Sequence, residues 1–237
     1  MGFREDVEHD GFALVPGVLD GAAADALLAA LHDAGGDLSA GPTVRRRESV
    51  YAMRNLLDAP AVREVARSGA VRALAEAVIG PGAFAVRGIL FDKTPDANWK
   101  VAWHQDLTIA VRERREVEGF GPWSEKAGVA SVQPPAAVLE EMVTIRLHLD
   151  DCGAENEPVK VIPGSHAHGR LPAGEIERLR GEHAPVPTCI ARGGALVMRP
   201  LLLHASSPAT SPAHRRVVHL DFAASDLPGG LEWRDRV

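Results

Sequence analysis

Two side chains able to bind a metal stand two positions apart in the run Val101-Ala102-Trp103-His104-Gln105-Asp106-Leu107-Thr108-Ile109-Ala110-Val111. Side chains of an extended chain alternate faces, so the His104 imidazole and the Asp106 carboxylate should share one side of a strand. A third donor, His204, closes the apolar run Leu201-Leu202-Leu203. Two imidazoles and one carboxylate that leave coordination positions open form the facial triad of non-haem Fe(II) chemistry. A His-x-Asp tripeptide alone arises often by chance, so its surroundings decide how it is read.

Those surroundings supply a cation. After His204 the stretch from Ala205 to His214 reads as a polar Pro/Ser loop, and Arg215 to Phe222 reads as a strand that Arg215 opens. A planar guanidinium grips a carboxylate through two charge-assisted hydrogen bonds, which makes Arg215 the best candidate for holding a dicarboxylate.

His104-Gln105-Asp106, His204, Ser206 two residues later and Arg215 eleven residues later together resemble the phytanoyl-CoA dioxygenase family of Fe(II)- and 2-oxoglutarate-dependent oxygenases. The run from His9 to Leu19 is similar to that family's N-terminal Asp-Gly-Phe strand, and Val161 to His166 to its Pro-Gly-Ser-His turn, so the resemblance spans about residues 9 to 225. It implies Fe(II) on His104, Asp106 and His204, leaving three positions for the keto acid and O2. Arg215 and the Ser206 hydroxyl would anchor the distal carboxylate, and 2-oxoglutarate would leave as succinate and CO2. Hydroxylation is the default outcome; desaturation, cyclisation and epimerisation stay open. One departure is Asn156-Glu157-Pro158, where relatives often carry glycine at the middle position. Related halogenases replace the metal carboxylate by Ala or Gly, so Asp106 counts against halogenation.

Further candidates come from alternation. In Thr144-Ile145-Arg146-Leu147-His148 one face is apolar, while Thr144, Arg146 and His148 share the other. That face looks either into the molecule, toward metal, co-substrate or substrate, or out to solvent. Thr144, Lys93 and Thr108 are candidates for the co-substrate, and Arg146, His148 and His219 for the substrate. The stretch 111–142 is the longest insertion between strands, and its aromatics, Trp123 among them, favour a substrate lid over a surface excursion. His166 and His168 sit in a Pro-Gly-Ser turn and read as turn structure.

A scaffold for these residues is visible. Asp20 should cap a helix carrying Ala24, Leu27, Leu28 and Leu31 and ending at Gly35-Gly36. A second helical region runs from about 60 to 79. Short β-like runs follow at 84–92, 100–110, 143–150, 158–162, 186–191, 195–199 and 215–223, with a short helix through Leu139 and Met142. Helices first and strands afterwards indicate an α+β protein with a double-stranded β-helix, or jelly-roll, core and the N-terminal helices packed outside.

The chain of 237 residues, 46% of them hydrophobic, can bury one full core, and a single domain is expected. Its net charge of −6 argues against a nucleic-acid surface, and Arg45-Arg46-Arg47 reads as a solvated loop. With no apolar leader and no long apolar window, membrane insertion and export are not expected, and a cytoplasmic location is. Cys152 and Cys189 make no disulfide framework and lack the local cations of a reactive thiol. The expected partner is a small-molecule substrate; oligomeric state is not legible. A non-redox metal enzyme of cupin type would have no need of Arg215 and Ser206, and a non-catalytic binding protein would have no need of an intact triad. Phosphate-binding loops, GxSxG and HExxH are absent.

Overall fold

The computed structural model describes residues 2–37, 43–46, 49–93, 100–208 and 214–237. Its strands, numbered along the chain, form a seven-stranded antiparallel sheet in the order β1 (Phe12–Val15), β12 (Ala195–Met198), β9 (Val143–His148), β14 (Arg215–Ala223), β4 (Phe84–Lys93), β3 (Ser49–Met53) and β2 (Thr43–Arg46). A four-stranded sheet orders β11 (Val186–Pro187), β10 (Lys160–Val161), β13 (His204–Ser206) and β5 (Val101–His104). These two sheets are the jelly-roll core of an α+β protein. A third sheet holds β6 (Ile109–Ala110), β8 (Val129–Val132) and β7 (Trp123–Lys126).

Period-two burial decides which side of the large sheet does what. Val143, Ile145 and Leu147 of β9 and Val218, Leu220 and Phe222 of β14 pack beneath the helices α1 (Phe3–His9), α2 (Gly21–Asp37), α3 (Pro60–Arg67) and α4 (Gly69–Ile79). Burying a large aliphatic or aromatic side chain is worth roughly 1.5–3 kcal/mol, so this apolar face fixes the register of both strands. The opposite face, with Thr144, Arg146, His148, Arg215, His219 and Asp221, is then forced inward, and all six are buried.

Several expectations are corrected by local chemistry. The helical region 60–79 is two helices, because Ser68 is extended (ψ 145°) and its hydroxyl caps the second by accepting from the Val71 amide at 3.4 Å. Asp20 does cap α2, accepting from the Ala23 amide at 2.7 Å, but the helix continues through Gly35-Gly36 to Asp37. The expected strand 100–110 stops at His104 and resumes at Ile109. Leu201 to Leu203 form a buried turn, with the strand starting at His204 itself. The expected strands 158–162 and 186–191 shrink to two residues each. Arg45 and Arg46 lie in β2, and Arg47 lies outside the described residues. The insertion 111–142 is β7, β8 and α5 (Ala136–Glu140), closed by Val111, Phe120, Val132, Leu139 and Met142 in a second apolar cluster.

Candidate metal centre

His104 and His204 are direct cross-strand partners on β5 and β13, with ring centroids 4.2 Å apart. Asp106 follows on irregular chain whose amide donates to the Pro200 carbonyl at 2.9 Å. Its Oδ1 lies 3.9 Å from His104 Nε2, and its Oδ2 lies 3.7 Å from His204 Nε2. Oδ2 is buried and has no hydrogen-bond partner among the described residues.

Both imidazoles are oriented from behind. Nδ1 of His104 lies 2.8 Å from the Ala102 carbonyl, and Nδ1 of His204 lies 2.8 Å from the Leu202 carbonyl. A carbonyl only accepts, so each Nδ1 donates, and each Nε2 faces Asp106 with no hydrogen-bond partner among the described residues. Burial pushes the His204 pKa down to about 4, keeping it the neutral ring a metal requires. Burial raises the Asp106 carboxyl pKa, but the charge that His204, His219 and His104 carry when protonated, together with the Arg87 guanidinium, more than offsets this and lowers it. Two bare ring nitrogens, an unpartnered carboxylate oxygen and one half-exposed ligand, His104 with 40% of its side chain accessible, fit an open 2-His-1-carboxylate site.

A cavity of about 120 Å³ extends from this triad into the jelly roll. Phe91, Val101, Val159 and Ala205 give it apolar walls. At its far end Lys93 donates to Ser206 Oγ at 3.1 Å and to the Ser207 carbonyl at 2.7 Å. Burial, then the neighbouring Arg215, push the Lys93 pKa down to about 8. Arg215 Nη1 is held by the Asn156 carbonyl at 3.4 Å and by the Glu157 carbonyl. Glu157 adopts φ +47°, in the left-handed region that non-glycine residues rarely enter. Lys93 and Arg215 thus stand side by side as buried cations, with the Glu157 carboxyl close enough to act on Lys93.

Arg146 and His219 line the same cavity nearer Asp106, bonded through Nη1 and Nδ1 at 3.0 Å. Beneath them lies an ion pair the alternation could have revealed. Asp221 continues the inward series Arg215, Val217, His219, and Arg87 ends the series Lys93, Phe91, Ile89 on the paired strand β4. Asp221 accepts from Arg87 at 2.5 Å, from Thr144 Oγ1 at 2.7 Å and from His219 at 3.0 Å. Burial works against the ionised Asp221, but Arg87 and these bonds hold its pKa far below the carboxylate range.

The remaining sequence candidates stand away from the cavity wall. Thr144 is committed to Asp221, and Thr108 accepts from Lys126 at 2.9 Å and, through its carbonyl, from Arg87 at 2.8 Å. His148 is buried with neither ring nitrogen partnered among the described residues, and burial followed by Arg146 takes its pKa to about 3. Trp123 packs against the second apolar cluster, under Arg114. His166 and His168 lie in a 3-10 turn, as their Pro-Gly-Ser setting suggests. Cys152 is buried and Cys189 exposed, both as free thiols.

A family model described as Phytanoyl-CoA dioxygenase (PhyH) matches residues 7–217. No curated protein sequence gives a match. Among solved structures, AviO1 from Streptomyces viridochromogenes Tue57 is 23% identical, with a TM-score of 0.69, over 95% of this chain and 96% of that one. SnoK, described as a non-heme alpha ketoglutarate dependent carbocyclase from nogalamycin biosynthesis, is 14% identical with a TM-score of 0.73 over 94% and 83% of the two chains. EctD from S. alaskensis, solved with bound Fe, is 18% identical with a TM-score of 0.72 over 93% and 75%. At these identities the likeness to solved structures establishes the shared fold.

Proposed function

Because the chain belongs to the phytanoyl-CoA dioxygenase family, we propose that it is a non-haem Fe(II)- and 2-oxoglutarate-dependent oxygenase that hydroxylates a small metabolite or natural product. The observation that carries this reading is the convergence of His104, Asp106 and His204, with both Nε2 atoms bare, at one end of a cavity whose other end gathers Lys93, Ser206 and Arg215. At roughly 10–15 Å³ per water-sized position, the cavity suits about ten non-hydrogen atoms, the size of a short dicarboxylic acid.

His104, Asp106 and His204 would hold the iron, and Arg215, with Ser206 and Lys93, the distal carboxylate. Iron(II) with the keto acid and O2 supplies the oxidising power, with succinate and CO2 as co-products. The protein's own part is to hold the keto acid in one pose and to keep water from the reacting centre with Phe91, Val101 and Val159. The half-exposed His104 marks the side from which a substrate approaches. Segment 111–142 is assigned as the substrate's cover, a reading supported by its Lys126, on β7, which bonds Thr108 two residues beyond Asp106. Intact Asp106 leaves no vacancy for a halide, which favours hydroxylation over halogenation. SnoK, described as a carbocyclase, keeps ring formation as the competing outcome for a substrate radical.

The test is an anaerobic titration of the protein with Fe(II) and 2-oxoglutarate, following the visible charge-transfer band of the chelated keto acid. The band should appear in wild type, vanish in Asp106→Ala, and need far more keto acid in Arg215→Gln, by roughly 2–5 kcal/mol for a buried carboxylate contact. Absence of the band in folded wild-type protein, with tight Zn or Mn binding instead, would replace this reading by a non-redox metal enzyme.

A further inference from the structure

The inward face of the large sheet has two cationic levels. On one, Lys93 and Arg215 are cross-strand partners of β4 and β14, beside Ser206. On the other, four residues further along β14, His219 pairs with Arg146 of β9, and both contribute to the cavity wall that holds His104, Asp106 and His204. Four strand residues span about 13 Å between backbones, and the long side chains reach inward from both levels. An extended dicarboxylate placed between them meets cations at both of its ends.

The Arg146 guanidinium is fixed from behind. It can only donate, so its bond to His219 Nδ1 requires that nitrogen to be bare and the proton to sit on Nε2, which donates to Asp221. Asp221 is itself clamped by Arg87 and Thr144. The series from Arg87 to Arg146 thus sets one tautomer and one guanidinium orientation, over the Phe91 ring at 5.5 Å. Arg146 is 8% exposed, and its buried Nε has no partner among the described residues. Arg146 lines the cavity, and among the described residues only its Nη1 is hydrogen-bonded; a buried guanidinium with donors left over is completed by an anion.

We propose that Arg146 grips the 1-carboxylate of the keto acid at the metal, while Arg215 and Lys93 take the distal carboxylate. The assignment rests on the keto-acid reading given above and goes beyond it, since it makes Arg146 a specificity residue for the 2-oxo acid head group. It follows that the site also binds monocarboxylic 2-oxo acids through the metal end alone, more weakly than 2-oxoglutarate.

Two ligands separate the roles. Anaerobic Fe(II) protein is titrated with 2-oxoglutarate and with pyruvate, which lacks the distal carboxylate, and the charge-transfer band gives an affinity for each. Arg215→Gln should weaken 2-oxoglutarate binding and leave pyruvate unchanged. Arg146→Gln should weaken both by a similar factor, about tenfold or more for a lost charge-assisted contact. Arg146→Lys, which keeps the charge and loses the fork, should fall between. Fe(II) binding in the absence of keto acid, measured by calorimetry, should be retained in all three and shows that the triad is intact. Undiminished keto-acid binding in both Arg146 variants, or a loss confined to 2-oxoglutarate, would overturn the assignment. A wild-type protein that binds Fe(II) but gives no band with either acid would remove the keto-acid reading as well.

Discussion

Gln105 ties the two halves of the candidate metal centre together through Leu201. Its Nε2 donates to the Leu201 carbonyl at 2.7 Å and to the Gly169 carbonyl at 2.8 Å, and its Oε1 accepts from the Leu171 amide at 2.8 Å. The residue between His104 and Asp106 is therefore bolted to the turn that leads into His204.

Removing that brace should loosen the ligands without touching one. Gln105→Ala strands a buried amide and two carbonyls, at about 1–3 kcal/mol of folding stability, and should weaken Fe(II) binding roughly 10–100-fold. Gln105→Glu keeps the shape but turns an acceptor on two carbonyls, so it should be worse. Calorimetric Fe(II) titration and urea unfolding check this; wild-type affinity in both variants would rule out the brace.

The Arg87–Asp221 pair should matter most to stability at neutral pH. Both side chains are largely buried, and Asp221→Asn leaves a guanidinium uncompensated, at about 3–5 kcal/mol. Since the folded-state pKa of Asp221 is held low, the stabilisation is fully present above the unfolded value of about 3.9 and drains away as pH falls below it. Urea midpoints of wild type and Asp221→Asn should differ widely at pH 7 and converge only in acid.

His148 carries the opposite assignment of charge. Its folded pKa of about 3 lies below the unfolded 6.5, so the unfolded chain takes up a proton that the folded one refuses. Stability therefore falls as pH drops from 6.5 toward 3, by about 2–3 kcal/mol at pH 4.5. His204 acts in the same direction. In metal-free protein, His148→Leu should lose that much less stability between pH 7.5 and 4.5 than wild type. Equal losses would mean that His148 is protonated in the fold.

Gly193 is a backbone requirement. It has φ +82°, and a Cβ there would run into the Leu19 carbonyl oxygen, while its own amide donates to the His148 carbonyl at 2.8 Å. Gly193→Ala should cost roughly 2 kcal/mol or more, read as a lowered unfolding midpoint.

That His104, Asp106, His204, Arg215 and Ser206 belong together was legible from residue type and short spacing, and the five line one cavity. Alternation likewise placed Thr144, Arg146 and His148 on one face, though by itself it left that face's direction open. Burial of Val143, Ile145 and Leu147 beneath the helices decided it.

Other features depend on which strand lies beside which. The strand order β9-β14-β4 brings Arg87, Asp221, His219 and Arg146 into one series from residues as far apart as 87 and 221. No local pattern encodes that pairing, because it is set by packing of apolar faces across the whole sheet. The same holds for Gln105, whose partners lie some 65 and 96 residues away. It holds too for Thr108 and Trp123, whose neighbours, Lys126 and the second apolar cluster, no local pattern announced. Sequence determined which chemical groups the protein carries and in what local order; tertiary structure decided which of them meet, because buried polar groups take the partners that non-local strand pairing supplies.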